Sequence, residues 1–135
     1  MSNYALIDSN VILDILTNDP NWAQWSINTL EYYSDYVELA INPIIYAELS
    51  IDFQNIEDLD EALILFKRLP LPFEAGFLAG KAFLNYRKNQ GERKSTLPVF
   101  YIGAHAAISN LSLITRDKMY KTYFPTLNLI SPERY

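Results

Sequence analysis

Apolar residues along this chain fall into short blocks that alternate between two kinds of pattern. Tyr4–Ile7, Tyr36–Ile41, Leu111–Thr115 and Thr126–Ile130 are compact runs of strand-forming residues, and they predict buried strands. Between them lie segments with helical spacing. Val11–Leu16 has the apolar density of a short helix that Asp8, Ser9 or Asn10 would cap. Asn18-Asp19-Pro20 breaks the chain and opens a second helix that runs to about Ser34, with Pro20 in its first turn. Asn42-Pro43 caps a helix over Ile44–Ile51, and a further helix is expected from Glu57 to Arg68. Leu69-Pro70-Leu71-Pro72 reads as a rigid connector. Glu74–Asn89 reads as a long helix with Ala75, Leu78, Ala79, Ala82, Phe83 and Tyr86 on one side. The polar stretch Asn89–Thr96 is expected to be a loop, and Phe100–Ile108 another helix.

Strands alternating with helices imply parallel pairing. The fold class expected is α/β, a three-layer α/β/α sandwich with a mainly parallel central sheet. At 135 residues the chain is expected to be one domain over 1–135, with a sizeable core. The absence of cysteine excludes disulfides, zinc-thiolate sites and cysteine nucleophiles, and makes a reducing cytoplasm the expected compartment. Neither a signal-peptide pattern at the amino terminus nor a membrane-length apolar run is seen. The net charge of −5 disfavours a simple phosphate-binding module, but it leaves room for an enzyme whose bound cations reverse the local field.

Candidate chemistry centres on three acids. Asp8 follows the first apolar run, Asp117 follows the run ending in Thr115, and Glu48 lies near the apolar face of its helix. In parallel α/β sheets, ligands bind beyond the carboxyl ends of the strands. Each acid also has an ordinary reading: Asp8 as a helix cap, Asp117 as a turn cap, Glu48 as an exposed helical carboxylate. No Lys or Arg stands near Glu48 in sequence, and a cation would satisfy all three acids together. There is no phosphate-binding glycine loop before a Lys-Ser or Lys-Thr pair, and no Gly-x-Ser-x-Gly nucleophile elbow.

Four segments carry a resemblance. They are Ala5-Leu6-Ile7-Asp8-Ser9-Asn10-Val11-Ile12-Leu13-Asp14, Asn42-Pro43-Ile44-Ile45-Tyr46-Ala47-Glu48-Leu49, Leu97-Pro98-Val99-Phe100-Tyr101-Ile102-Gly103-Ala104-His105-Ala106, and Leu113-Ile114-Thr115-Arg116-Asp117. In this order and spacing the chain resembles the PIN domain, and more narrowly the VapC-type toxins of bacterial toxin–antitoxin pairs. The resemblance implies an endoribonuclease dependent on Mg²⁺ or Mn²⁺, with Asp8, Glu48 and Asp117 as catalytic and metal-holding acids. It implies Thr115 as a supporting hydroxyl and Asn10 as an orienting amide. It also implies an antitoxin partner, an RNA substrate and a homodimer. Arg116, beside Asp117, is a candidate substrate contact.

Val99 departs from the pattern, because the family has Asp after this Leu-Pro. A methyl-bearing side chain cannot ligate or orient a hydrated cation, so the expectation is a nuclease fold with reduced catalytic power. The competing reading is a non-catalytic PIN-like module that binds antitoxin or RNA. A phospho-acceptor receiver domain is weaker, since one of the acids comes from a helix and no strand-ending Lys follows. Three further features each keep two readings. His105 reads as a packed residue or an acid–base catalyst. Arg87, Lys88, Arg93 and Lys94 read as a solvated helix end or a phosphate contact. Trp22, Trp25, Thr29 and Tyr33 read as core or as part of a partner groove.

Overall fold

The computed structural model describes residues 3–89 and 95–133. Five short strands, β1 (Tyr4–Ile7), β2 (Glu38–Ile41), β3 (Lys67–Arg68), β4 (Ser112–Ile114) and β5 (Asn128–Ile130), form one sheet in the order β3-β2-β1-β4-β5. Every pairing is parallel. Parallel neighbours need crossovers, and among the described residues seven helices supply them: α1 (Ser9–Leu16), α2 (Ala23–Ser34), α3 (Pro43–Ser50), α4 (Ile56–Ala62), α5 (Phe73–Asn89), α6 (Leu97–Ile108) and α7 (Met119–Tyr123). The chain moves from β1 one way to β2 and β3, then returns past β1 to β4 and β5. Right-handed crossovers therefore put α1–α4 on one face and α5–α7 on the other, which makes the expected three-layer sandwich.

The central strands read as apolar runs because both of their faces are covered. Ala5, Leu6, Ile7, Ala40, Ile41, Leu113 and Ile114 are all buried. Helix α6 is buried on most sides, from Phe100 through Ile102–Ala106. At Gly103 a Cβ would lie 2.5 Å from a ring carbon of Phe124 and 2.9 Å from one of Tyr120, so only glycine fits beneath these rings. Asn18 (φ 52°) and Asn110 (φ 55°) take the left-handed conformation just past the ends of α1 and α6, where Asn is tolerated better than most residues.

The helix expected over Glu57–Arg68 is shorter than its pattern. It ends at Ala62, and Lys67–Arg68 pair with Ala40 and Ile41 as the edge strand β3. Pro70 limits continuation of a helix, and the open edge of β2 takes up the backbone instead: Leu69 N–H donates to the Ile41 carbonyl at 2.9 Å. Two exposed, charged residues carry no strand signal of their own, and tertiary pairing decides their state. Helix α2 begins at Ala23 rather than at Pro20, and α6 begins at Leu97, with Pro98 in its first turn.

Candidate functional site at the strand carboxyl ends

Strand order reverses direction at β1, between β2 and β4. Such a switch point leaves a crevice beyond the strand ends, and the register decides what enters it. Ile7 pairs with Ile114, so Asp8 and Thr115 are the next residues out on neighbouring strands. The Asp8 N–H extends the ladder to the Ile114 carbonyl at 2.9 Å. The Thr115 hydroxyl donates to Asp8 Oδ2 at 2.7 Å. Asp8 is also the N-cap of α1, where its Oδ1 accepts from Ser9 N at 2.8 Å. The cap reading and the site reading therefore fall on the same carboxylate.

Asn10 and Thr115 organise what surrounds it. The Asn10 amide nitrogen lies 3.3 Å from both Asp8 Oδ2 and Thr115 Oγ1, and its oxygen accepts from Arg116 N at 3.2 Å. Thr115 Oγ1 in turn accepts from Asp117 N at 3.0 Å. Asp117 turns Oδ1 back to Met119 N at 2.9 Å. From the other side, Glu48 on α3 reaches over Ser9, whose hydroxyl donates to Oε1 at 2.8 Å. Helices α1 and α3, together with the segment after β4, thus bring Asp8, Glu48, Asn10, Thr115 and Asp117 into one linked network.

Burial sets the electrostatics. Asp8 is 5% exposed, and loss of hydration pushes its carboxyl up from 3.8 to about 6. The charge of Glu48 pushes in the same direction, while hydrogen bonds from Thr115, Ser9 and Tyr120 oppose it. Burial also raises Glu48, against the Ser9 hydrogen bond. Tyr120 reports the convergence of the three acids. Its buried phenol is pushed well above the ordinary tyrosine range, by burial first and then by Asp8, Glu48 and Asp117. A phenol held protonated in this way is a donor facing the carboxylates.

The donor set is oxygen only, which suits a hard divalent cation that keeps several waters. Among the described residues, no three His, Cys, Asp or Glu side chains stand close enough to enclose an ion by themselves. Water would have to complete any coordination shell, as Mg²⁺ ordinarily requires. Val99 lies in the first turn of α6, partly buried against the core, and that turn carries no acid.

Arg116 sits beside Asp117, but its guanidinium turns toward α1. Nε and Nη2 grip Asp14 Oδ2 and Oδ1 at 2.7 and 2.9 Å, and the group lies 5.0 Å from the Trp22 ring centroid. His105 is buried. Asn42 caps α3 through Oδ1, which leaves its amide nitrogen to donate to His105 Nδ1 at 3.0 Å. The imidazole is therefore neutral with its proton on Nε2, in keeping with a pKa lowered by burial. Arg87 and Lys88 are exposed at the end of α5, whereas Arg93 and Lys94 lie outside the described residues. Trp25 and Tyr33 pack partly against the core and also line a surface hollow with Asn28, Thr29 and Tyr32.

Asp14 and Tyr120 are not marked as site residues by the sequence, and Ser9 is marked only as a possible cap of α1. A charged residue inside the apolar run Val11–Leu16 was a usable signal for Asp14, because such a residue needs a partner. Tyr120 had none, lying in a segment of mixed lysine and tyrosine.

Solved structures share this fold. A chain of VapBC2 from Rickettsia felis, bound to a promoter DNA fragment, superposes with a TM-score of 0.73 at 18% identity, covering 96% of this chain and 99% of that one. A toxin–antitoxin complex from Klebsiella pneumoniae gives 0.71 at 20% identity, over 97% and 99% of the two chains. VapBC-1 from nontypeable Haemophilus influenzae gives 0.70 at 22%, over 95% and 97%. No curated protein sequence matches the chain. The family model of the PIN domain matches residues 5–123, which span both β1 with Asp8 and the loop with Asp117. This chain belongs to the PIN domain family.

Proposed function

We propose that the chain is the toxin of a VapC-like toxin–antitoxin pair, built on a metal-dependent endoribonuclease site that Val99 impairs. One observation carries the reading most: a buried Asp8 carboxylate at the β1–β4 switch point, raised to about 6, with Glu48 beside it and, among the described residues, no cationic side chain gripping it as Arg116 grips Asp14. The solved complexes that share the fold support the antitoxin partner, and family membership supports nuclease chemistry.

Asp8, Glu48 and Asp117 would hold Mg²⁺ or Mn²⁺, the cofactor this reading requires. The bound cation would supply an ionised water and offset charge on the RNA phosphodiester. The protein's own part is positional. Thr115 and Asn10 fix Asp8 Oδ2, Ser9 fixes Glu48 Oε1, and the protonated Tyr120 phenol faces the acids as a donor. Val99 offers only methyl groups where the family supplies another carboxylate. The same residue favours the second reading, a non-catalytic module that keeps the fold to bind antitoxin or RNA. Partner surface is available. Phe73 and Phe77 on α5 are 95% and 73% exposed, and an apolar groove lined by Ile12, Ile15, Leu16, Leu30 and Leu39 runs between α1, α2 and β2. A homodimer and a bound antitoxin would use such surfaces.

The test compares RNA cleavage in Mg²⁺ or Mn²⁺ by this chain, its Val99→Asp variant and a Val99→Asp/Asp8→Asn control. Val99→Asp should cut at least ~10-fold faster than the chain itself, and the control should not cut. Folded protein of all three that leaves diverse RNAs intact would sink the nuclease reading and put the binding module first.

A further inference from the structure

We infer that Asp14 and Arg116 form a strut that positions the loop carrying Asp117, so that Arg116 is a positioning residue rather than a phosphate contact. The link to metal binding rests on the proposed nuclease reading; the strut itself does not. Asp14 is 3% exposed and makes three charge-assisted contacts: the two-pronged grip from Arg116 and a hydrogen bond from the Ser26 hydroxyl at 2.9 Å. The two-point grip fixes the plane of the guanidinium as well as its distance. Trp22 then covers the group from α2.

The backbone of the same residue is held from the same helix. Arg116 N donates to Asn10 Oδ1, and Asn10 and Asp14 lie one turn apart on one face of α1. Both ends of residue 116 are therefore tied to α1. Asp8, the N-cap of that helix, holds residue 115 through the Thr115 hydroxyl. A segment pinned at 115, at the 116 backbone and at the 116 side chain has little freedom left at 117. Asp117 is the one site acid on an irregular stretch, since Asp8 caps a helix directly after a strand and Glu48 lies inside a helix. It is the acid that needs a strut.

A buried ion pair that merely stabilises the fold predicts something different. Replacing such a pair by apolar residues of similar size commonly restores stability. The Asp14→Leu/Arg116→Met variant does this and removes the fork. Two readouts follow: amide hydrogen exchange at Arg116 and Asp117 without metal, and Mn²⁺ affinity from the resonance signal of the free ion. The strut predicts a variant that unfolds cooperatively at no lower denaturant, exchanges faster at these amides, and binds Mn²⁺ ~10–100-fold more weakly. Arg116→Lys keeps the charge, loses the fork, and should fall between parent and double variant. Unchanged exchange at both amides, in either variant, overturns the strut. Equal Mn²⁺ binding by parent and double variant overturns its role at the site while leaving the metal reading intact. Faster exchange with no Mn²⁺ bound by the parent supports the strut and counts against the metal reading instead.

Discussion

Helix α1 has a buried carboxylate near each end, and the two are treated in opposite ways. Asp14 receives a guanidinium fork and a serine hydroxyl, so its charge is matched inside the protein. Asp8 is about as deeply buried, at 5% exposure, yet it receives hydroxyl, amide and backbone donors and has Glu48 as its charged neighbour. Each arrangement has a recognisable cost. Ionising Asp8 works against the fold, whereas Asp14 depends on one partner more than a hundred residues along the chain. The contrast separates a carboxylate whose charge is matched within the fold from one that, on the proposed reading, would draw a cation from outside. Burial alone does not distinguish them; the partner does.

The largest expected effect breaks the matched side. Arg116→Ala leaves Asp14 buried without its counter-charge and should cost about 3–5 kcal/mol in urea unfolding. A loss under about 1 kcal/mol would mean that Ser26 and water suffice for Asp14, and the contrast with Asp8 would collapse. On the unmatched side the sign reverses. The Asp8 carboxyl in the fold lies near 6 against an ordinary 3.8, so its ionisation opposes folding. Its favourable contribution is complete below the ordinary value and is lost as pH rises toward about 6 and beyond. Two units correspond to about 3 kcal/mol at most. Asp8→Asn should therefore stabilise the metal-free protein at pH 7 by up to that amount. The gap between variant and parent should close below pH 4, as read by thermal melts in chelator across the pH range. A destabilised Asp8→Asn protein at pH 7 would mean that the hydrogen-bond network outweighs the charge. The smallest effect sharpens the account. Glu48→Gln removes the like charge, so the pH midpoint of the Asp8 effect should move below about 6, with a small gain in stability at neutral pH. A midpoint that stays put would leave burial as the whole cause.

What could be read from sequence follows the same division. Asp8 and Asp117 were visible because each follows a compact apolar run, and a polar residue at a buried strand's end is a local pattern. Glu48 stood out by lacking a nearby cation, and its actual partner, the Ser9 hydroxyl, gives no signal in a sequence. The central strands and most helices were legible for the same local reason. Strand β3 was not, because its two residues are strand only by virtue of β2's edge. Nor was the Asp14–Arg116 grip, since nothing in either segment specifies that they meet. Arg116 is a candidate substrate contact in sequence only through its place beside Asp117, and adjacency along the chain gives no indication of where its side chain turns.

The sheet ends on β3 and β5, two and three residues long. Lys67 and Arg68 are both exposed on the first of these. Edges this short, one of them charged, offer an incoming strand few backbone groups to pair with and discourage one sheet from extending another. Recognition by strand addition is correspondingly disfavoured. On the proposed reading, an antitoxin or a second copy would read helix faces, grooves and side chains. Its specificity would then be written in residues such as Phe73, Phe77 and the α1–α2 groove, where single substitutions can change the choice of partner without disturbing the fold.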